Sequence, residues 1–168
     1  MFLSRRRIVL IAVIAAVAIT IVLLPLILTI TLPANLNTVS VALAKVEVAN
    51  ITGSSLINLN VLFSIHNPTD KTLTTSGIDY QLFANNTLLG QGSVSYADVP
   101  VNGRPQLLSN TTTTIQSQFQ VVNSHSNSQI FKAVQNPATV KHIKWKVEGI
   151  GDLESGFSSS SKQFNATL

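Results

Sequence analysis

Ile57-Asn58-Leu59-Asn60-Val61-Leu62-Phe63-Ser64-Ile65-His66-Asn67-Pro68 alternates apolar and polar side chains along most of its length and then stops at an Asn-Pro pair. A period of two places Ile57, Leu59, Val61, Phe63 and Ile65 on one face of an extended chain, the pattern of a strand with one face in a core. Proline has no N–H to donate and pushes the residue before it away from helical backbone, so Asn67-Pro68 terminates the strand. The Asn67 side chain is placed to fold back on the local backbone in an Asx-type turn.

The same period recurs on both sides. Val39, Val41 and Leu43 alternate up to Lys45, where Val46 and Val48 take over the apolar register, so a bulge or a break falls there. Ile78, Tyr80 and Leu82 form another strand leading to Asn85-Asn86, which tolerate positive φ and suit a tight hairpin turn into Leu88-Leu89-Gly90-Gln91-Gly92. Gly90 and Gly92 permit a bulge or a close sheet contact. Ile115, Phe119 and Val121 mark a strand after the Thr111–Thr114 run, and Ile143, Trp145 and Val147 mark a later one. Phe157 and Phe164 flank or belong to a last strand. One short helix is predicted from about Asn127 to Gln135, with Ser126 or Ser128 as N-cap, Ile130, Phe131 and Val134 on one face, and Pro137 as its end. About seven strands and one short helix describe a mainly β protein, an antiparallel two-sheet sandwich of fibronectin-III/Ig-like kind.

Upstream of these strands the character of the chain changes. Arg5, Arg6 and Arg7 precede an uncharged apolar run from Ile8 to Leu32, and no charge follows until Lys45. At about 1.5 Å per residue, roughly 25 helical residues span a hydrocarbon core about 30 Å thick with some tilt to spare. Pro25 is tolerable in such a helix, where Thr20 or Thr29 can help accommodate a kink. The run is too long for a cleaved signal peptide, and the nearest small-x-small triplet, Ala42-Leu43-Ala44, falls inside a predicted strand. The chain has no cysteine, which closes the lipoprotein route. Ser4-Arg5-Arg6-Arg7 resembles a twin-arginine signal only as any basic cluster before an apolar helix does. The resulting organisation is a cytoplasmic basic segment at 1–7, a transmembrane helix at 8–32, a linker at 33–37 and one domain at 38–168. The arginine cluster puts the N-terminus inside and the C-terminal domain outside, in an extracellular, lumenal or periplasmic space. Extended, the linker reaches roughly 17 Å, keeping the domain near the membrane lipid.

Removing the three N-terminal arginines from the formal charge of +4 leaves +1, so the basic pI belongs to the topogenic signal. A near-neutral domain has no face able to neutralise several phosphates, which excludes nucleic acid as a partner. Lys141, Lys144 and Lys146 lie near Trp145, and in a strand Lys144 and Lys146 share a face while Trp145 points to the opposite one, a solvated face over a buried tryptophan. Sequons occur at Asn50, Asn85, Asn110 and Asn165, a number close to what chance supplies in a chain this rich in Ser and Thr.

His66, His125 and His142 are the only histidines, and none has a metal-ligand partner at short spacing. Asp152 and Glu154 can share a face, but Gly151 and Gly156 beside them suggest a loop. No nucleophile-base order, phosphate loop or zinc spacing stands out. The expectation is therefore no catalytic, cofactor-binding or metal-binding residue, no cofactor and no enzyme activity. The Thr111–Thr114 and Ser158–Ser161 runs are read as exposed polar positions, with hydrogen bonding to headgroups or cell-surface sugars as the sharper alternative.

Taken in order, Val61 to Thr69 with its Asn67-Pro68, then Tyr80-x-Leu82, Asn85 to Gly92, Thr113-Thr114-Ile115 and Trp145-x-Val147-x-Gly149 resemble the late embryogenesis abundant (LEA) type 2 domain, also called the water stress and hypersensitive response (WHy) domain. The resemblance covers about Val46 to Phe164. It implies a two-sheet sandwich with one helix and an association with desiccation and other stress responses, and it carries over no catalytic or ligand site. The functional expectation is a membrane-anchored, outward-facing, non-enzymatic domain in water-stress tolerance. The alternatives are a lipid-binding module holding acyl chains between its sheets, and an accessory or adhesive subunit meeting envelope proteins or glycans, of unknown oligomeric state.

Overall fold

A computed structural model describes residues 5–31, 35–156 and 158–168 and, within these, all side chains except those of 7, 8 and 25–31. The chain divides into two compact units, Met1–Pro33 and Ala34–Leu168.

In the first unit, α1 (Arg5–Thr31) is a single helix of 27 residues. Every side chain along 9–24 is exposed, and its large apolar ones are between 44% and 71% exposed. Among the described residues no helix is long and apolar enough to cross a membrane. Arg7 of the basic cluster and Pro25, Thr29 and Leu32 of the predicted span lie outside the described side chains, as do residues 1–4 of the basic segment.

The second unit begins earlier than residue 38. Leu36–Thr38 forms a short 3₁₀ turn, and Leu36 is buried with the core rather than held in an extended linker. The Lys162 ammonium fastens this turn by donating to the carbonyls of Asn37, at 2.5 Å, and Val39. Pro33 and Ala34 of the predicted linker lie outside the described residues.

Two antiparallel sheets follow. In one, β1 (Ser40–Thr52) pairs with β2 (Leu56–Asn67), which pairs with β6 (Thr111–Val122). The other runs β4 (Thr87–Ser95), β3 (Leu73–Ala84), β7 (Trp145–Ser155), β8 (Ser158–Thr167), with the two-residue β5 (Gln106–Leu107) also on β3. Periodicity could not reveal β5, because two residues make no period. The register change near Lys45 is a bulge, since pairing shifts between Leu43 and Lys45 and again between Val48 and Asn50. Asn85 and Asn86 take φ of 48° and 67°, the left-handed pair that a two-residue hairpin needs.

Two readings of the C-terminal half are corrected. Asp152 and Glu154 do not sit in a loop: β7 continues to Ser155 because its ladders to β3 and β8 hold both sides, and Gly156, at φ 57°, lies in the turn beyond it. The helix α2 spans Ser128–Gln135 with Asn127, not a serine, at the N-cap position. Buried Asn127 accepts from the Ser124 N–H and donates to the Val122 carbonyl, so it closes the loop entering α2 instead of capping the helix. Pro137 opens a further helix, α3 (Pro137–Val140), where its missing N–H costs nothing and Asn136 accepts from the Ala138 N–H.

The inward residues of β2 (Ile57, Leu59, Val61, Phe63, Ile65) meet Ile78, Tyr80, Leu82, Val147 and Leu153 of the facing sheet. At the end of β2, Asn67 is fully buried. Its Oδ1 accepts from the Thr69 N–H at 3.0 Å and the Thr69 hydroxyl at 2.7 Å, and its Nδ2 donates to the carbonyls of Lys71, Leu107 and Leu108. The Asx turn expected at Asn-Pro is thus also the fastening that holds the β5 segment against the end of β2.

Candidate functional site

Because Tyr80 faces the core, its neighbours Asp79 and Gln81 face outward, and the same parity holds across the β4-β3-β7-β8 sheet. The registers align Gln91, Gln81, Glu148 and Asn165 in one outward row and Ser93, Asp79, Ile150 and Gln163 in the next. This outer face forms a groove of about 820 Å³, lined by those side chains and by Tyr80, Gly92, Gly149 and Phe164 between the rows. Ile150 is its only exposed large apolar side chain.

The groove's polar groups differ from those at structural positions in what they bond. Asn67, Thr75, Ser109 and Asn127 spend their donors on backbone carbonyls. Asp79, Gln81, Gln91, Ser93 and Gln163 make no side-chain hydrogen bond within the protein among the described residues, so their donors and acceptors point to solvent. Asn165, one of the sequon asparagines, donates to Glu148 Oε1 at 3.3 Å, and Lys146 pairs with the same oxygen at 2.5 Å while lying 5.6 Å from the Phe83 ring. Asp79, the other carboxylate of the groove, has no ion pair among the described residues.

Underneath, the groove floor is held by an aromatic layer. Phe63 meets Tyr80 and Phe164 edge-on at 4.9 and 5.9 Å between centroids, and Tyr80 lies 6.0 Å from Phe119. The Tyr80 hydroxyl and the buried Ser117 hydroxyl bond at 2.8 Å, tying the two sheets together. Burial lifts the Tyr80 phenol above the ordinary tyrosine value of 10.0, and the Ser117 bond opposes that in part. A raised phenol pKa means that folding disfavours the ionised form. The contribution is complete below pH 10 and is lost as pH climbs through the native-state value. Urea midpoints should therefore fall above pH 10 in the wild type, and less steeply in Tyr80→Phe. At neutral pH that variant should lose about 1–2 kcal/mol because Ser117 is left unpaired; a Tyr80→Phe midpoint that tracks the wild type through alkaline pH would contradict this assignment.

The residues singled out from sequence do not converge. His66 bonds the Thr112 hydroxyl at 3.2 Å on the opposite sheet's outer face, while His125 and His142 sit exposed beside α2 and α3. Among the described residues no group of His, Asp and Glu can hold a metal ion. Asp152 accepts from the Ser161 hydroxyl at 2.6 Å, and Glu154 takes both oxygens to Arg104 at 2.6 and 2.7 Å. The arginine also donates to the Val99 and Ala97 carbonyls, so this pair clasps the 97–104 loop to β7. Ser159, Ser160 and Ser161 line a smaller hollow of about 270 Å³ with Ser76, Asp152 and Glu154. Thr111–Thr114 begins β6 and is mostly exposed. Trp145 is buried beneath Lys144 and Lys146 as expected. Sequence reading missed the groove because its side chains are common surface amides spread over four strands; only the register makes them neighbours.

No protein-family model matches the chain, and no curated protein matches it. Solved structures do. A solution structure from Arabidopsis thaliana aligns with a TM-score of 0.51 at 10% identity, over 76% of this chain and 79% of that one, which shows a shared sandwich fold. A crystal structure of a protein from Archaeoglobus fulgidus aligns at 0.45 and 16% identity, over 77% and 92% of the two chains. A solution structure of a protein described as late embryogenesis abundant (LEA) aligns at 0.38 and 15%, over 80% and 73%. Scores this low carry no functional argument.

Proposed function

We propose that this chain is a membrane-anchored β-sandwich that faces outward and acts without catalysis in tolerance of water stress. The anchor is supported chiefly by one observation: α1 leaves the apolar side chains of 9–24 exposed on all sides behind Arg5 and Arg6. A helix apolar all round needs an apolar solvent, and a bilayer supplies it. The uncharged run continues to Leu32, and the cationic flank lies only on the N-terminal side.

The non-enzymatic part is supported by the roles of the residues that carry the LEA type 2 resemblance. Asn67, the Asn85-Asn86 turn, Gly92 and Gly149 all serve the fold, through a buried hydrogen-bond hub, a left-handed turn and close packing. The strand order β1-β2-β6 facing β4-β3-β7-β8 is that of a fibronectin-III-like sandwich, which agrees with the same reading. Acyl chains between the sheets find less support. Phe63, Leu59, Val61 and Leu82 fill that space with no exposure, and the larger hollow described above lies on the outside, between mostly polar outward side chains.

The test is topological and physiological. The full chain expressed in cells should stay in the membrane pellet through alkaline carbonate washing, and protease added to intact cells or right-side-out vesicles should remove the sandwich. Release by carbonate or complete protection from protease would remove the anchored, outward reading. Unchanged viability of a deletion strain after drying and salt upshift would remove the protective role.

A further inference from the structure

We infer that the outer groove of the β4-β3-β7-β8 sheet is a binding site for a neutral carbohydrate chain. This deepens the proposed function by giving the outward domain a ligand class, and it rests on that reading only for access to glycans.

The argument begins with shape. About 820 Å³ lies within the range of small-ligand sites, and a groove crossing four strands covers three strand spacings, roughly 14 Å. A pyranose unit is about as long as one strand spacing, so the groove has room for about three hexoses. Chemistry then selects the class. Amides at Gln81, Gln91 and Gln163 each offer a donor and an acceptor, Ser93 offers both on one oxygen, and Asp79 accepts from two hydroxyls at once. These are the complements of vicinal sugar hydroxyls, and they are not consumed by the protein's own hydrogen bonds.

Other classes fit less well. Asp79 and Glu148 repel phosphate, sulfate and uronate groups, and the cation beside them, Lys146, is already paired with Glu148. A lipid tail would meet one well-exposed large apolar side chain, Ile150, and would strip water from at least five polar ones. Ile150 and the glycine backbone strip between the rows instead suit the C–H face of a sugar ring. The smooth floor exists because Gly92 and Gly149 let Tyr80 and Phe164 pack directly beneath the sheet.

Binding is tested with the purified full chain in a detergent without a sugar headgroup, such as lauryldimethylamine oxide, so that the detergent does not compete. Maltohexaose, cellohexaose, laminarihexaose and mannohexaose are titrated by calorimetry and by backbone NMR shifts. At least one should bind with a Kd at or below about 1 mM. Affinity along its oligomer series should rise to about three sugars and then level off. Gln81→Ala with Gln163→Ala should weaken it at least tenfold, while Gln116→Ala on the outer face of β6 leaves it unchanged.

Matching melting temperatures confirm that these substitutions leave the fold intact. The inference is overturned if no neutral probe binds, if the groove variants bind as the wild type does, or if oligogalacturonate or anionic phospholipid vesicles bind the groove more tightly than every neutral probe. None of these outcomes depends on membrane topology, so failure here is separable from failure of the anchored reading.

Discussion

Gly149→Ala is expected to lower the melting temperature of the sandwich by roughly 10 °C or more, while Gly151→Ala, two residues on along the same strand, leaves it within about 2 °C. Both glycines face the core from β7, so the difference is one of space and not of backbone freedom. A Cβ at 149 would lie 2.8 Å from the Phe164 ring, 2.9 Å from Tyr80 Cβ and closer still to the Asp79 carbonyl on β3. Rings can tilt, but that carbonyl belongs to the paired strand and moves only if the β3–β7 ladder opens. Overpacking of this kind costs about 3 kcal/mol, a large share of the 5–15 kcal/mol that keeps a domain folded. A Cβ at 151 meets nothing nearer than Val41 Cγ2 at 4.0 Å, ordinary van der Waals contact. Trp145, buried and the only tryptophan, reports both melts by fluorescence. Equal melting temperatures for the two variants would sink the packing account. Gly92 should behave like Gly149, since a Cβ there would sit 2.5 Å from Tyr80 Cζ and 2.8 Å from Phe119 Cδ2.

These glycines also show where sequence stops being readable. Gly92 and Gly149 could be marked as places of close approach or as parts of a resemblance, yet nothing local says that both sit over Tyr80, because the row Gly92, Tyr80, Gly149, Phe164 exists only once four strands are in register. Features set by neighbours in the chain were legible: the β2 alternation, the bulge near Lys45, the Asn85-Asn86 turn and the stop at Asn67-Pro68. Features set by distant partners were not. Arg104 and Glu154 are 50 residues apart, Tyr80 and Ser117 are 37 apart, and an isolated arginine or serine gives no hint of its mate. Gly151 and Gly156 misled for the same reason, since turn propensity suggested a loop where two ladders enforced a strand. The groove lies at the far end of this scale. Its eight outward side chains come from four strands and carry no motif, so register alone assembles them.

Asn67 offers the second large effect and a sharper test, because its two ends hold opposite kinds of group. Oδ1 faces donors, the Thr69 N–H and hydroxyl, whereas Nδ2 faces only acceptors, the carbonyls of Lys71, Leu107 and Leu108 at 2.8, 2.8 and 3.2 Å. Replacement by leucine keeps the volume and leaves these buried groups without partners. About 1 kcal/mol for each of these five lost bonds brings the expected loss to roughly 5 kcal/mol, enough to leave the protein mostly unfolded at moderate urea. Replacement by aspartate keeps the shape as well and changes only the sign of the interaction on one side: a carboxylate oxygen now faces three carbonyl oxygens. That repulsion and the burial both favour the protonated acid, so the native state holds this carboxyl above its unfolded value of about 3.9. Stability follows with a fixed sign. Asn67→Asp should be most stable below about pH 4, where the acid O–H can replace one amide donor, and should lose stability as pH rises toward neutral, the reverse of the trend for a salt-bridged carboxylate. Urea midpoints at pH 4 and pH 7, each referenced to the wild type at the same pH, measure the effect directly. An Asn67→Asp penalty that is the same at both pH values would mean that Nδ2 is not the group holding the β5 segment against the end of β2. If the penalty does grow with pH, the Asn-Pro pair is more than the end of a strand: it is the bond that closes one sheet's terminus onto the other.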